Sequence, residues 1–133
     1  MAQTAFVLVL TDDEAAGQRL RELLREKHGH VGSVVTSLPA ALDSIRARAP
    51  DAVVARPRVG ADSTPGPLAE LLDRLARDAT LLVVGGDALP TARRIKVAAV
   101  AATDDTEALA QAVSTAARKA VARREDRLLQ ESI

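Results

Sequence analysis

The sequence predicts an α/β protein with a doubly wound parallel sheet, and three features support this fold class. Short apolar segments rich in Val and Leu alternate five times with helical segments. Right-handed crossovers between such strands give a parallel sheet with helices on both faces. The first apolar segment is hydrophobic at every position, as in a strand covered on both sides. A chain of 133 residues suits one domain with a substantial core.

Five segments are predicted as strands because they are short, apolar and bounded by polar or turn-forming residues. The first belongs in the middle of the sheet, since neither of its faces is polar. The fifth is rich in Ala, which has low β propensity. The strands are predicted at residues 5–10, 33–36, 52–55, 81–84 and 97–101.

The segments between the strands have the apolar spacing of amphipathic helices. In the first, leucines at 20, 23 and 24 precede Gly29, a typical helix end. Ser37 can cap the second, which Pro50 must terminate. A third helix follows a Gly- and Pro-rich loop at residues 57–67, and a weaker helical stretch is expected near 89–94. Asp104 or Asp105 can cap the last helix, which runs towards Leu129.

The composition excludes several classes of function. Eighteen basic residues balance eighteen acidic ones, so no net field attracts nucleic acid or an anionic membrane. Without Trp, Tyr or Cys, the chain has little means of stacking on bases and no thiol chemistry. The N-terminal apolar run has no basic leader and ends in acids after six residues, which predicts neither a signal peptide nor a membrane span. A cytoplasmic location is expected, and no enzyme chemistry is indicated.

Asp12 and Asp13 follow the first strand, and Pro50-Asp51-Ala52-Val53-Val54-Ala55-Arg56 forms the third. With the final helix, this order resembles the response-regulator receiver domains, the flavodoxin-like modules of two-component signalling, over roughly residues 5–122. The resemblance implies strand order 2-1-3-4-5 and a site at the carboxyl ends of the strands. In that family the site comprises an acidic pair, a phospho-accepting Asp ending the third strand, a Thr or Ser ending the fourth, and a Lys ending the fifth.

This chain matches only the acidic pair of that motif. Arg56 stands at the phospho-acceptor position, Gly85 or Gly86 at the hydroxyl position, and Ala102 near the lysine position. A guanidinium cannot accept a phosphoryl group, and it stays protonated. The resemblance therefore implies a degenerate member, a pseudo-receiver without aspartyl phosphorylation. No cofactor is expected, although Asp12 and Asp13 leave a weak Mg²⁺ site open, because carboxylates are the oxygen ligands that this ion prefers.

The charge of Arg56 suggests a structural replacement for the metal ion. We hypothesise that its guanidinium lies between the carboxylates of Asp12 and Asp13 and offsets their repulsion. The alternative is that Arg56 points from the strand end into solvent. His28 and His30 flank Gly29 and are predicted as solvent-facing turn residues rather than as metal ligands.

The expected function is signalling by protein contact, within a receiver-like domain at residues 1–122. Residues 123–133 are predicted to begin a helical linker to a downstream module, because Leu128 and Leu129 stand among dense charges. Arg93, Arg94 and Lys96 form a basic cluster on the face where the family docks partners or dimerises, so a homodimer is also expected.

Two alternatives are left open for the function. In the first, the chain is a phosphorylatable receiver that uses a displaced acid, Asp51 or Asp62, although Asp51 begins the third strand and Asp62 lies well beyond its end. In the second, the chain is a sensor of a small ligand at the strand-end crevice, where Gly85 and Gly86 would leave room.

Overall fold

The computed structural model describes residues 4–11, 13–55, 78–84, 96–100 and 106–131. Five strands and three helices occur in this part of the chain. The strands are β1 (Phe6–Leu10), β2 (Val31–Val35), β3 (Ala52–Ala55), β4 (Thr80–Val84) and β5 (Lys96–Val100). The helices are α1 (Glu14–His28), α2 (Leu38–Ala47) and a C-terminal helix (Thr106–Glu131). The helical segments predicted within 57–77 and near 89–94 lie outside the described residues.

The strands form one parallel sheet in the order β2-β1-β3-β4-β5, which confirms the predicted topology. β1 lies between β2 and β3, and all five of its residues are buried. Its uninterrupted apolar sequence is explained by this position, since helices cover both of its faces. β2 begins two residues earlier than the sequence predicted, and β4 and β5 begin one residue earlier.

One face of the sheet packs against α1 and the C-terminal helix. The strand side chains on this face include Val7, Val9 and Val54, and they contact Leu24 of α1 and Val113 of the C-terminal helix within one apolar cluster. α2 contacts β1 and β2, and its buried residues, Ala41 and Ile45, lie outside this cluster. Helices therefore cover both faces of the sheet. The chain moves from β1 to β2 in one direction across the sheet and from β2 to β3 in the opposite direction. Right-handed crossovers in opposite directions place their helices on opposite faces.

The ends of the helices are set by local sequence. Ser37 has extended backbone, and its hydroxyl accepts a hydrogen bond from the Ala40 N–H at 3.3 Å, which satisfies a free donor of α2. Gly29 ends α1 with a φ of 70°, the left-handed conformation that glycine adopts without strain. Both ends confirm the sequence predictions. No helix in the described ranges combines the length and apolar character needed to cross a membrane.

Candidate functional site

The site predicted by the resemblance lies at the carboxyl end of the sheet, where the parallel strands finish. Leu10, the last residue of β1, pairs with Ala55, the last residue of β3. Ala55 in turn pairs with Val83 of β4. The register therefore brings the ends of β1 and β3 level with each other and within one residue of the end of β4. Asp13 follows β1 at this end, and Arg56 is next to Ala55 in the sequence.

Asp13 has a defined role in this structure as the N-cap of α1. Its backbone is extended, and its Oδ1 accepts a hydrogen bond from the Ala16 N–H at 3.1 Å. Its own N–H donates to Oγ1 of the buried Thr11 at 3.1 Å. One carboxylate oxygen is thus engaged by the helix, a contact typically worth about 1 kcal/mol. The side chain is exposed, so its other oxygen remains accessible at the carboxyl end of the sheet.

The other residues of the predicted site, Asp12, Arg56, Gly85, Gly86 and Ala102, lie outside the described residues, as do Asp62, Arg93 and Arg94. The contact of Arg56 with the two acids therefore stays a prediction. In the described part of the chain, no group of three or more acidic or histidine side chains is arranged to hold a metal ion. A magnesium site involving Asp12 also stays a prediction.

A cavity of about 130 Å³ lies beside Asp13, between the starts of α1 and the C-terminal helix. Its lining includes Val9, Thr11, Gly17, Leu20 and Thr106. Gly17 allows α1 to approach the sheet closely, because a Cβ there would lie 2.8 Å from side-chain carbons of Thr11 and Val34.

The amino end of the sheet, where the strands begin, contains a polar network that sequence reasoning missed. Asp51 precedes β3 and is only 6% exposed. Its Oδ2 accepts from the Phe6 N–H at 2.9 Å, and its Oδ1 accepts from Arg124 of the C-terminal helix at 2.6 Å. The Thr80 N–H donates to the Asp51 carbonyl at 3.1 Å. Asp51 therefore joins β1, β4 and the C-terminal helix, at the end of the sheet opposite to Asp13.

The position of Asp51 bears on one alternative reading of the sequence. A displaced phospho-acceptor would need to lie beside Asp13, but the strands are parallel, and Asp51 comes before β3 whereas Asp13 comes after β1. Asp51 does not belong to the site at the carboxyl end. Its carboxylate is instead part of the attachment of the last helix.

The prediction for His30 was wrong. The side chain is 1% exposed and does not face solvent. Its Nδ1 accepts from the Ala5 N–H at 3.2 Å, and its Nε2 lies 3.0 Å from Oγ of the buried Ser114. His28 is half-buried and stacks on His30, with ring centroids 6.4 Å apart. Burial and the nearby Arg118 guanidinium lower the pKa of both histidines. Local sequence could not reveal this contact, because Ser114 lies 84 residues from His30.

The C-terminal helix continues without a break through the predicted domain boundary at residues 122 and 123. Arg123 donates to the Asp78 carbonyl and to Thr80 Oγ1, both at 2.8 Å. Arg127 donates to the Asp78 carboxylate at 3.0 Å. These hydrogen bonds attach the helix to the domain as far as Arg127, and a linker to a downstream module stays a prediction.

Leu128 and Leu129 are 52% and 64% exposed. Lys96 is the first residue of β5, which ends the sheet order on one side. A role of these three residues in an interface stays a prediction.

No protein-family model matches this sequence, and no curated protein matches it. Solved structures do resemble the fold. The N-terminal domain of a response regulator/sensory box/GGDEF three-domain protein from Carboxydothermus hydrogenoformans superposes with a TM-score of 0.69 at 14% identity, covering 89% of this chain and 98% of that domain. A CheY-like response-regulator receiver domain from Methylobacillus flagellatus gives 0.66 at 21% identity, covering 86% and 99%.

NtrX from Brucella abortus gives a TM-score of 0.71 at 20% identity, with 96% of this chain covered but only 30% of that protein. The present chain is thus similar to one part of a longer protein. At these identities the similarity concerns the fold. Together with the strand order and the helices on both faces, it shows that this chain has the flavodoxin-like fold of response-regulator receiver domains.

Proposed function

We propose that this chain is a pseudo-receiver, a signalling domain that works by protein contact and without aspartyl phosphorylation. In this proposal it is the N-terminal regulatory domain of a larger bacterial signalling or transcription regulator. The similar domain from Carboxydothermus hydrogenoformans is itself the N-terminal part of a three-domain protein. The fold supports a signalling role, and the residues at the carboxyl end of the sheet support the loss of phosphorylation.

The observation that carries the proposal is the register between β1 and β3. Leu10 and Ala55 are partners, so Arg56 directly follows the β3 residue that pairs with the end of β1. Receiver domains use an Asp at the corresponding position. An arginine there has no nucleophilic oxygen, and its guanidinium stays protonated under all working conditions.

A permanent cation after β3 also suits the carboxylates that follow β1. Asp13 uses one oxygen to cap α1, and its exposed side chain can pair with a cation through the other. In our proposal the Arg56 guanidinium binds between Asp12 and Asp13 and takes the place of Mg²⁺. A planar guanidinium offers several donors to two carboxylates, so the substitution is chemically reasonable.

The proposal is tested by incubating the full chain with acetyl phosphate and Mg²⁺ and measuring its intact mass. We expect no phosphoryl adduct, and we expect no change in amide chemical shifts on adding beryllofluoride. The Arg56→Asp variant restores an acid at this position, and Arg58→Asp makes the same charge change two residues away as its control. Labelling of Arg56→Asp alone would locate the lost acceptor. Mg²⁺-dependent labelling of the wild-type chain would contradict the proposal.

The proposed output element is the C-terminal helix. Leu128 follows the buried Val121 by seven residues, so the apolar stripe of the helix continues beyond the core and becomes exposed. A stripe with this spacing suits pairing with a second helix. We propose that Leu128 and Leu129 contact a partner helix, either from a second copy or from a downstream module, and that Arg93, Arg94 and Lys96 contribute to the same output surface.

Sedimentation velocity over a range of concentrations tests the homodimer. We expect reversible dimerisation that is weakened in a Leu128→Ser, Leu129→Ser double variant and retained in Gln130→Ala, which alters an exposed neighbour. A wild-type chain that stays monomeric at every concentration would exclude homodimerisation and leave the downstream module as the partner.

A further inference from the structure

His30 occupies a buried polar contact that holds the start of β1 to the C-terminal helix. Its ring lies between the Ala5 N–H on one side and Ser114 Oγ on the other. His30 and Ser114 are at most 1% exposed, and Ala5 is fully buried. The contact links residues 25 and 84 positions apart in the chain. It is therefore a tertiary contact of the last helix rather than a local turn.

The hydrogen bonds determine the tautomer of the ring. A backbone N–H can only donate, so Nδ1 must accept from Ala5 and carry no proton. The proton of the neutral ring is then on Nε2, where it donates to the Ser114 hydroxyl. Adding a second proton would place an N–H on Nδ1 directly against the Ala5 N–H. The imidazolium form is therefore incompatible with this arrangement of the three residues.

The charges around His30 do not favour the imidazolium either. From the C-terminal helix, Arg118 lies near the ring, and His28 stacks on it. The charge of Asp51 favours protonation, but its carboxylate already accepts from Arg124 and Phe6. A surface cavity of about 190 Å³ next to His30 is lined by Arg21, Glu22 and Arg25 of α1, of which two are basic.

We propose that His30 is an acid-sensitive contact that releases the C-terminal helix from the start of β1 when its ring is protonated. This goes beyond the proposed function, which gives the helix an output role but no control by pH. Opening the contact separates Ala5, His30 and Ser114 and lets the ring take up a proton in water. Release is therefore favoured by acid.

The sign and the size of the effect follow from linkage. Burial, with the Arg118 and His28 charges, lowers the pKa of His30 from its ordinary value of 6.5. The closed state therefore binds less proton than the open state at any pH below this value. The contact is fully stable above about pH 6.5, and the opening equilibrium rises by up to about tenfold per pH unit below it, until the pKa of the closed state is reached.

Two measurements on the isotopically labelled full chain test this directly by NMR. The nitrogen shifts of His30 should show the tautomer protonated on Nε2 at neutral pH, with a midpoint below 6.5 on acidification. The hydrogen-exchange protection of the Ala5 and Ser114 amides, corrected for intrinsic rates, should fall below pH 6.5. A ring that titrates at or above 6.5 while the Ala5 amide stays protected would overturn the proposal.

Variants assign the effect to this residue. His30→Asn cannot take up the proton, so its helix protection should not respond to pH between 5 and 7, whereas His28→Asn should keep the wild-type response. A pH response lost in His28→Asn, or kept in a folded His30→Asn, would refute the assignment. If His30→Asn does not fold, the ring titration of the wild-type chain and the His28→Asn response still decide the question.

Discussion

Replacing Asp51 with Ala tests the attachment of the last helix, and its cost can be worked from the contacts of the carboxylate. The backbone N–H of the buried Phe6 loses its acceptor, which costs about 1 to 3 kcal/mol. The ion pair with Arg124 is also lost. Because the Arg124 side chain is 42% exposed, that pair contributes only about 0.5 to 1 kcal/mol. We expect Asp51→Ala to lower the free energy of unfolding by about 2 to 4 kcal/mol.

Two further substitutions separate the two contributions. Asp51→Asn keeps an oxygen that can accept from Phe6 and loses only the charge, so it should cost about 1 kcal/mol. Arg124→Ala removes the ion pair and leaves the hydrogen bond to Phe6, with a similar expected cost. Asp43→Ala, at an exposed position of α2, is the matched control and should stay within about 0.5 kcal/mol of the wild type.

Urea unfolding followed by far-ultraviolet circular dichroism is the suitable assay, because the chain has no Trp or Tyr for fluorescence. The urea concentration at the unfolding midpoint should fall, while the slope of the unfolding free energy against urea concentration stays the same. This combination indicates a loss of stability without a change in the denatured state. An Asp51→Ala variant as stable as Asp43→Ala would refute the role assigned to this carboxylate. So would an Asp51→Asn variant as unstable as Asp51→Ala, since the hydrogen bond to Phe6 would then contribute nothing.

The same assay checks three further predictions. Gly17→Ala should cost about 1 to 3 kcal/mol, because the added methyl would meet two packed side chains at 2.8 Å, whereas Gly32→Ala should cost less, since the flexible Arg21 side chain can move away. Equal costs for Gly17→Ala and Gly32→Ala would argue against a close approach of α1 to the sheet at Gly17. Gly29→Ala should cost about 1 kcal/mol from backbone strain alone, and Gly29→Asn should retain more stability. Ser37→Ala should cost about 1 kcal/mol, and Ser37→Asp, which keeps a capping oxygen, should restore most of it.

The order of elements could be predicted from the sequence because each depends on local signals. The uninterrupted apolar run of β1 required a central position in the sheet, and the structure places β1 there. Gly29 and Ser37 mark helix ends by local properties. Glycine adopts the left-handed backbone conformation without strain, and the serine hydroxyl accepts a hydrogen bond from the first turn of the helix. Strand boundaries were off by one or two residues, since Val31 and Gly32 at the start of β2 resemble a continuation of the preceding turn.

The network at the amino end of the sheet could not be predicted in the same way. His30 looked like a turn residue because its partner, Ser114, is brought near only by packing of the last helix. Arg123 and Arg124 looked like the solvated charges of a linker. The sequence holds only a weak signal for this network. Asp51 and Asp78 each stand shortly before a buried strand. An unpaired acid there would be costly, so an arginine from a distant part of the chain is a suitable partner.

The contacts at the amino end suggest which part of the last helix a partner could move. Up to Val121 the helix is held by apolar burial in the core. From Arg123 onward, its contacts with the described part of the domain include hydrogen bonds and ion pairs to Asp51, Asp78 and Thr80. The Arg124 and Arg127 side chains are 42% and 33% exposed, so each of their pairs is worth at most about 1 kcal/mol. Breaking the contacts of these three arginines would then cost about 3 kcal/mol, which a partner can supply by binding the released form about 150-fold more tightly. The apolar cluster would remain closed during this step, because none of its members in the described part of the chain lies beyond Val121.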